Sequence, residues 1–123
     1  MTHRERVLRA LSRQEPDRVP VDLGGSRSSS LVFEAYEKLE RSLGGAEPPR
    51  MFSRWLNVVH PSERMLQRFD IDTRSVSPGS ADAGQDVLFA DGSYQDEWGV
   101  VRTRPAGGLY YDLTKPPLAG DIE

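Results

Sequence analysis

The sequence predicts an α/β fold that opens with a β/α unit and closes in a β-meander. Three observations predict it. The apolar stretch Arg18-Val19-Pro20-Val21-Asp22-Leu23 runs into Gly24-Gly25. Amphipathic runs flank it at residues 3–13 and 31–43; a short strand that ends in glycines and feeds a helix is how a β/α unit begins. Beyond residue 80 the pattern becomes short apolar and aromatic stretches separated by Asp-Gly and Gly-Gly turns, the mark of antiparallel strands.

The chain has 123 residues, a net charge of -3 and no cysteine. That length suits one domain of ordinary size. The weak negative charge gives no pull toward nucleic acid or an anionic membrane surface. Without cysteine there is neither a disulfide nor a thiolate metal site within the chain. The first residues, His3-Arg4-Glu5-Arg6, are charged and lack the apolar core of a signal peptide. No run reaches the length of a membrane span, so a cytoplasmic location is expected.

Thr2-His3-Arg4-Glu5 is a capping box, Thr-x-x-Glu, that opens the first helix over 3–13. Val7, Leu8 and Leu11 share one face; Arg4, Arg6, Arg9 and Arg13 fall largely elsewhere. Glu5 and Glu15 dilute those arginines, so they read as a solvated face rather than a nucleic-acid patch. Pro16 ends the helix. The strand Arg18 to Leu23 follows, with Pro20 near its start, where a missing N–H does least harm. Ser28, Ser29 and Ser30 each offer an N-cap for the second helix, which buries Leu31, Val32, Ala35, Tyr36, Leu39 and Leu43 and stops at Gly44-Gly45. Pro48-Pro49 begins a loop, and Met51 to Leu56 reads as a short helix or an irregular apolar arm. Pro61 suits the first turn of a third helix, with Met65, Leu66 and Phe69 on its buried face. Asp72 to Ser77 reads as a second strand closed by Pro78-Gly79. Strands separated by helices are expected to pair in parallel through a right-handed crossover, with helix 31–43 packed against them.

After residue 80, Val87-Leu88-Phe89, the turn Ala90-Asp91-Gly92-Ser93 and Tyr94 to Thr103 predict a β-hairpin. Gly107-Gly108 makes another turn, Leu109 to Leu113 a third antiparallel strand, and Lys115-Pro116-Pro117 the start of an extended tail. Residues 1–79 thus hold two β/α units, and 80–123 the meander and tail.

No strong catalytic motif is present: the sequence lacks a Walker A motif, a His-Glu-x-x-His pair, a Gly-x-Ser-x-Gly elbow and a dinucleotide glycine fingerprint. His3 and His60 are the only imidazoles, and both read as surface or capping residues. Asp91, Asp96, Glu97 and Asp112 cluster in the meander without the spacing of a calcium loop, so they read as charged turns. Tyr94, Trp98, Tyr110 and Tyr111 either pack across strands or line a contact surface. The best site candidate is the loop after the first strand. Gly24 and Gly25 permit close backbone approach, Ser26 and Ser28 offer hydroxyls, and Arg27 a forked cation, ahead of a helix N-terminus. These residues predict a carboxylate or phosphate site; a serine-capped turn is the alternative.

Thr2-His3-Arg4-Glu5-Arg6-Val7-Leu8-Arg9-Ala10-Leu11, followed by Glu15-Pro16-Asp17-Arg18-Val19-Pro20-Val21-Asp22, resembles the opening of the uroporphyrinogen decarboxylase superfamily. Glu63 to Asp72 and Asp91 to Gly99 are similar to its methyltransferase-like branch. The resemblance spans nearly the whole chain and is specific in combination, each piece alone being weak. It implies a (β/α)₈ TIM barrel with its site at the carboxyl ends of the strands. A barrel takes roughly 250 residues, so the chain is expected to be the amino-terminal portion of one, with the meander as an insertion, and inactive alone. The parent reaction implied is methyl transfer involving a corrinoid protein and zinc, whose His and Cys ligands lie in later strands; no cofactor is expected within this chain. An anionic small molecule is the expected partner.

Uroporphyrinogen III decarboxylation and a stand-alone binding module are the alternatives. True decarboxylases carry Arg-Gln-Ala-Gly-Arg after the first strand; Gly25-Ser26-Arg27-Ser28-Ser29 stands there, leaving one arginine. Their essential aspartate ends the second strand; Pro78-Gly79 falls at that place, and Asp82 substitutes only with a loop shift. An unfinished barrel exposes a strand edge, so a homo-oligomer is expected through Val19, Val21, Leu23, Val76 or the meander aromatics.

Overall fold

The computed structural model describes residues 1–77 and 86–118. The chain divides into two compact units, Met1–Ser53 with Val58–Val76, and Arg54–Asn57 with Ser77–Glu123. The fold is mixed α/β with two antiparallel sheets, one in each unit. Among the described residues, no helix is long and apolar enough to cross a membrane. The expected 79/80 division, Pro78-Gly79 and Asp82 lie outside the described residues.

The first unit contains α1 (His3–Leu11), a 3-10 turn (Arg27–Ser29), β1 (Leu31–Val32), α2 (Phe33–Ser42), β2 (Arg50–Ser53), β3 (Val58–His60) and α3 (Glu63–Arg68). The Thr2 capping box forms as predicted, with the Thr2 side chain on the Glu5 N–H and the Glu5 carboxylate on the Thr2 N–H. All three helices end in the same way. Arg13, Gly44 and Asp70 adopt left-handed φ of 56°, 70° and 51°. The next N–H, of Gln14, Gly45 or Ile71, then donates to a carbonyl five residues back at 2.9 Å, which satisfies a helix-end acceptor. Gly44 does this without steric cost. The same motif ends α1 at Leu11, upstream of Pro16.

The sheet order is β1-β3-β2. Leu31 pairs with Val59 and Val32 with Val58; on the other side Arg50 pairs with His60 and Met51 with Val59, and a bulge precedes the Ser53–Val58 pair. Val59 sits in the central strand and is fully buried, as is Met65, with Tyr36 at 1% exposure. Leu23, Leu31, Phe33, Leu39, Leu43 and Met51 pack around them.

Several stretches fold differently from the sequence expectation. Arg18 to Leu23 and Asp72 to Ser77 are not strands. They lie side by side, but one backbone bond joins them, Asp72 N–H to Val21 C=O at 2.9 Å. Pro20 has no N–H to give, and the Val21 N–H is taken by the Asp72 carboxylate at 2.8 Å, so no ladder propagates. The second helix starts at Phe33 because Leu31 and Val32 are recruited as β1. Its N-cap is Val32, not a serine; the Ser30 hydroxyl donates to the Val59 carbonyl. The first half of the stretch Met51 to Leu56, read as a helix or arm, belongs to β2. Ser62, not Pro61, starts α3, its hydroxyl accepting from the Met65 N–H at 3.2 Å. Phe69, expected on the buried face of α3, is 43% exposed, and Leu8 and Leu11, which share one face of α1, are 44% and 76% exposed.

The second unit is a four-stranded antiparallel meander, β4 (Val87–Leu88), β5 (Tyr94–Gln95), β6 (Val101–Thr103) and β7 (Asp112–Lys115), in that spatial order. The stretch read as one strand over 94–103 is two, separated by a turn at Asp96 to Gly99. The third predicted strand, Leu109 to Leu113, lies later, at Asp112–Lys115. Aspartates specify both tight turns. Asp91 accepts from the Ser93 N–H and hydroxyl at 2.9 and 2.6 Å, with Gly92 at φ 82°. Asp96 accepts from the Trp98 and Val100 N–H groups, both at 3.0 Å, and from Arg102, with Gly99 at φ 78°. Tyr94 is 2% exposed; Tyr111 meets it edge-on at 5.1 Å and the Arg54 guanidinium covers its ring at 5.7 Å. Trp98, by contrast, is 76% exposed. Asp96→Ala strands two turn amides and the Arg102 guanidinium. The expected loss is about 1–3 kcal/mol, read as a lower urea midpoint for the Tyr94 ring resonances.

Candidate functional site

The site is built on a charged lock that holds the two extended segments of the first unit together. Asp72 has a fully buried side chain. Its carboxylate receives Arg6 Nη1 at 2.5 Å, Arg18 Nη1 at 2.6 Å, His3 Nδ1 at 2.7 Å and the Val21 N–H at 2.8 Å. Burial pushes its pKa up, but the Val21 N–H, His3, Arg6 and Arg18 outweigh burial and hold it well below the usual carboxylate range. Arg6 also forks onto Asp17, with Nε at 2.7 Å and Nη2 at 2.9 Å, which brings the Asp17 pKa down to about 2. Arg18 reaches Asp70 at 2.6 Å. Arg6 was expected on a solvated face; it is 6% exposed because Asp17 and Asp72 neutralise it there. His3, read as a surface or capping residue, belongs to this lock.

Downstream of the lock, the 24–30 loop closes on itself. Gly24 N–H donates to the Ser29 carbonyl at 2.9 Å, Gly25 N–H to Asp22 Oδ1 at 3.0 Å, and Ser26 N–H to Ser29 Oγ at 3.1 Å. The Thr73 hydroxyl also donates to Asp22. Burial raises the Asp22 pKa, but Ser29, Thr73 and the Gly25 N–H lower it further. The loop amides predicted to cradle a ligand are therefore engaged by the chain's own carboxylate, carbonyl and hydroxyl. Ser26, Arg27 and Ser28 are exposed. The close approach that Gly24 permits is to protein: a Cβ there would stand 2.5 Å from Pro61 Cδ, and Gly24 has φ 74°.

Next to Gly24 opens a cleft of about 420 Å³. Its wall includes Tyr36, Arg50, His60, Glu63, Arg74 and Ser75. Of the five predicted site residues only Gly24 lines it; Gly25, Ser26, Arg27 and Ser28 do not. Arg74 is clamped by Glu63, with Nε and Nη2 each at 2.9 Å from a carboxylate oxygen, and donates to the Ile71 and Thr73 carbonyls. The His60 ring stacks on Phe52 at 3.9 Å between centroids, and its Nδ1 lies 3.4 Å from Ser75 Oγ. Burial and then Arg50 push the His60 pKa down. So His60, read as a surface or capping residue, is a half-buried wall of the cleft.

Arg50, His60, Arg74 and Ser75 were missed because their convergence depends on long-range pairing. The available signal was short: Met51-Phe52-Ser53 and Val58-Val59-His60 are β-prone runs that can face each other. Among the described residues no three His, Asp or Glu side chains converge as metal ligands. Comparison with family models, curated proteins and solved structures finds no match.

Proposed function

We propose that the chain is the amino-terminal segment of a uroporphyrinogen decarboxylase-like enzyme, the first part of a (β/α)₈ barrel carrying the meander as an insertion. In this reading the parent reaction is corrinoid-linked methyl transfer, and the cleft of the first unit receives the acidic group of a small substrate. One observation carries the reading. Contacts between the two extended segments advance together, Arg18 with Asp70, Val21 with Asp72 and Asp22 with Thr73, as they do between neighbours running in one direction. The cleft opens at Gly24, where the first segment ends, and is flanked by Arg74 and Ser75 in the middle of the second. A barrel enzyme places its active site at the carboxyl ends of adjacent parallel strands. The resemblance of Thr2 to Asp22, Glu63 to Asp72 and Asp91 to Gly99 supplies the reaction class.

Methyl transfer is favoured over decarboxylation by charge. A porphyrinogen with eight carboxylates needs several available cations, and Arg74 is already neutralised by Glu63. The resemblance puts the zinc ligands in later strands, and substrate binding is the part we assign to this segment. Arg27 stands exposed on its 3-10 turn and remains a second anion contact in the proposal. Val19 and Val76, 79% and 97% exposed, are the edge through which we propose self-association.

The test is a pair of assays on the protein in its full genomic reading frame: methylation of a reduced corrinoid by candidate methyl donors, and decarboxylation of uroporphyrinogen III. Corrinoid methylation is expected, with residues 1–123 alone inactive in both assays. Turnover of uroporphyrinogen III overturns the reaction assignment.

A further inference from the structure

Arg50 and His60 are direct cross-strand partners in the β2–β3 pair, and both line the same cleft. Directly opposed residues of an antiparallel pair project from one face with Cβ atoms about 4.5–5.5 Å apart. Two basic side chains in that relation repel when both are charged, unless an anion sits between them. Among the described residues, the other charged or titratable groups facing His60 do not supply one. From α3, Glu63 is spent on Arg74, which itself comes from the stretch after α3. From α2, Tyr36 points its hydroxyl to the Glu47 carbonyl at 3.3 Å. Glu47, ahead of β2, lines the cleft but forms no ion pair with Arg50 or His60 among the described residues. On the ring itself, Nδ1 faces Ser75 and Phe52 covers one side.

We infer that the cleft is a proton-coupled oxyanion site, in which one carboxylate-like group bridges Arg50 and His60 and is bound together with a proton on His60. The chemistry is that of linkage. Burial and the facing Arg50 guanidinium disfavour the charged form of the imidazole. An anion between the two side chains reverses the second effect and stabilises the imidazolium. Binding therefore takes up a proton, and protonation in turn strengthens binding by the same factor. The inference rests on the cleft being the binding site of the proposed function, and it adds the ligand's charge class and its pH control.

The experiment is an NMR pH titration of the whole chain, following the His60 ring and the amides of Gly24 and Ser75, with sulfate and with acetate as probes. Neither probe changes charge near the ordinary histidine value of 6.5. His60→Gln, which leaves His3 as the single imidazole, assigns the His60 ring resonances by difference. With saturating probe the His60 midpoint is expected to rise by about one unit, so that affinity is about tenfold higher below the histidine range than above it. A stronger effect of acetate identifies a carboxylate; a stronger effect of sulfate identifies a tetrahedral oxyanion. Arg50→Gln should raise the midpoint without probe and abolish its response to probe. His60→Gln should leave weaker binding that no longer varies with pH. If the probes move the Gly24 and Ser75 amides but not the His60 midpoint, this inference falls and the cleft reading stands. If they move neither, both fall.

Discussion

Asp72→Ala is expected to cost about 3–5 kcal/mol, the loss that follows when one partner of a buried ion-pair network is removed. The fully buried Asp72 side chain receives two arginines, His3 and a backbone amide. Removing it leaves Arg6, itself 6% exposed, facing Arg18 with no shared countercharge and the Val21 amide without its acceptor. The measurement is urea unfolding of the whole chain, read from the amide resonance of Val59, which lies at the centre of the first unit. Asp72→Asn should fall nearly as far, since the shape is kept and the charge is not. A drop below about 1 kcal/mol, the range of an exposed pair, would mean that the lock is not buried as described.

The same lock sets the acid response. Asp72 and Asp17 both titrate below their unfolded value of 3.8, Asp17 at about 2. Their contribution is complete above 3.8, where the folded state holds fewer protons than the unfolded one. It is lost as pH falls through the folded values. Wild-type stability should therefore decline steeply below pH 3.8, and Asp72→Asn should flatten that decline.

Gly24→Ala is expected to be the next most damaging change. An alanine at φ 74° carries about 1–2 kcal/mol of backbone strain. Its Cβ would also stand 2.5 and 2.7 Å from Pro61 Cδ and Cγ, and relieving such overpacking costs about 1–3 kcal/mol. A total of about 2–5 kcal/mol follows if the two add. Pro61→Ala in the Gly24→Ala background should recover the overpacking part alone, and the recovery separates packing from strain in a double-mutant cycle. No recovery would show that Pro61 is not what Gly24 accommodates.

What depends on neighbours along the chain can be read from the residues alone. The Thr2–Glu5 box, the Gly44 stop, the Asp91-Gly92 turn and the antiparallel character of the meander were all legible, because each is a contact within a few residues. The α/β class was legible for the same reason. Tertiary structure decided where the apparent strands went. Arg18 to Leu23 and Asp72 to Ser77 carry strand-like composition, yet a side chain 51 residues away takes the Val21 amide and stops the ladder. Leu31 and Val32 fit a helical stripe equally well, and Val58 and Val59 draw them into a sheet.

The site followed the same division. The glycine-serine loop was visible as a loop able to hold an anion, but its amides bond within the loop and to Asp22 instead. Arg6 looked solvated because helical periodicity cannot announce a carboxylate 66 residues later. The cleft was invisible for a related reason. Arg50 and His60 become a pair only through strand register, the same register that places buried Val59 between Leu31 and Met51, a property of the assembled core rather than of any local stretch of sequence.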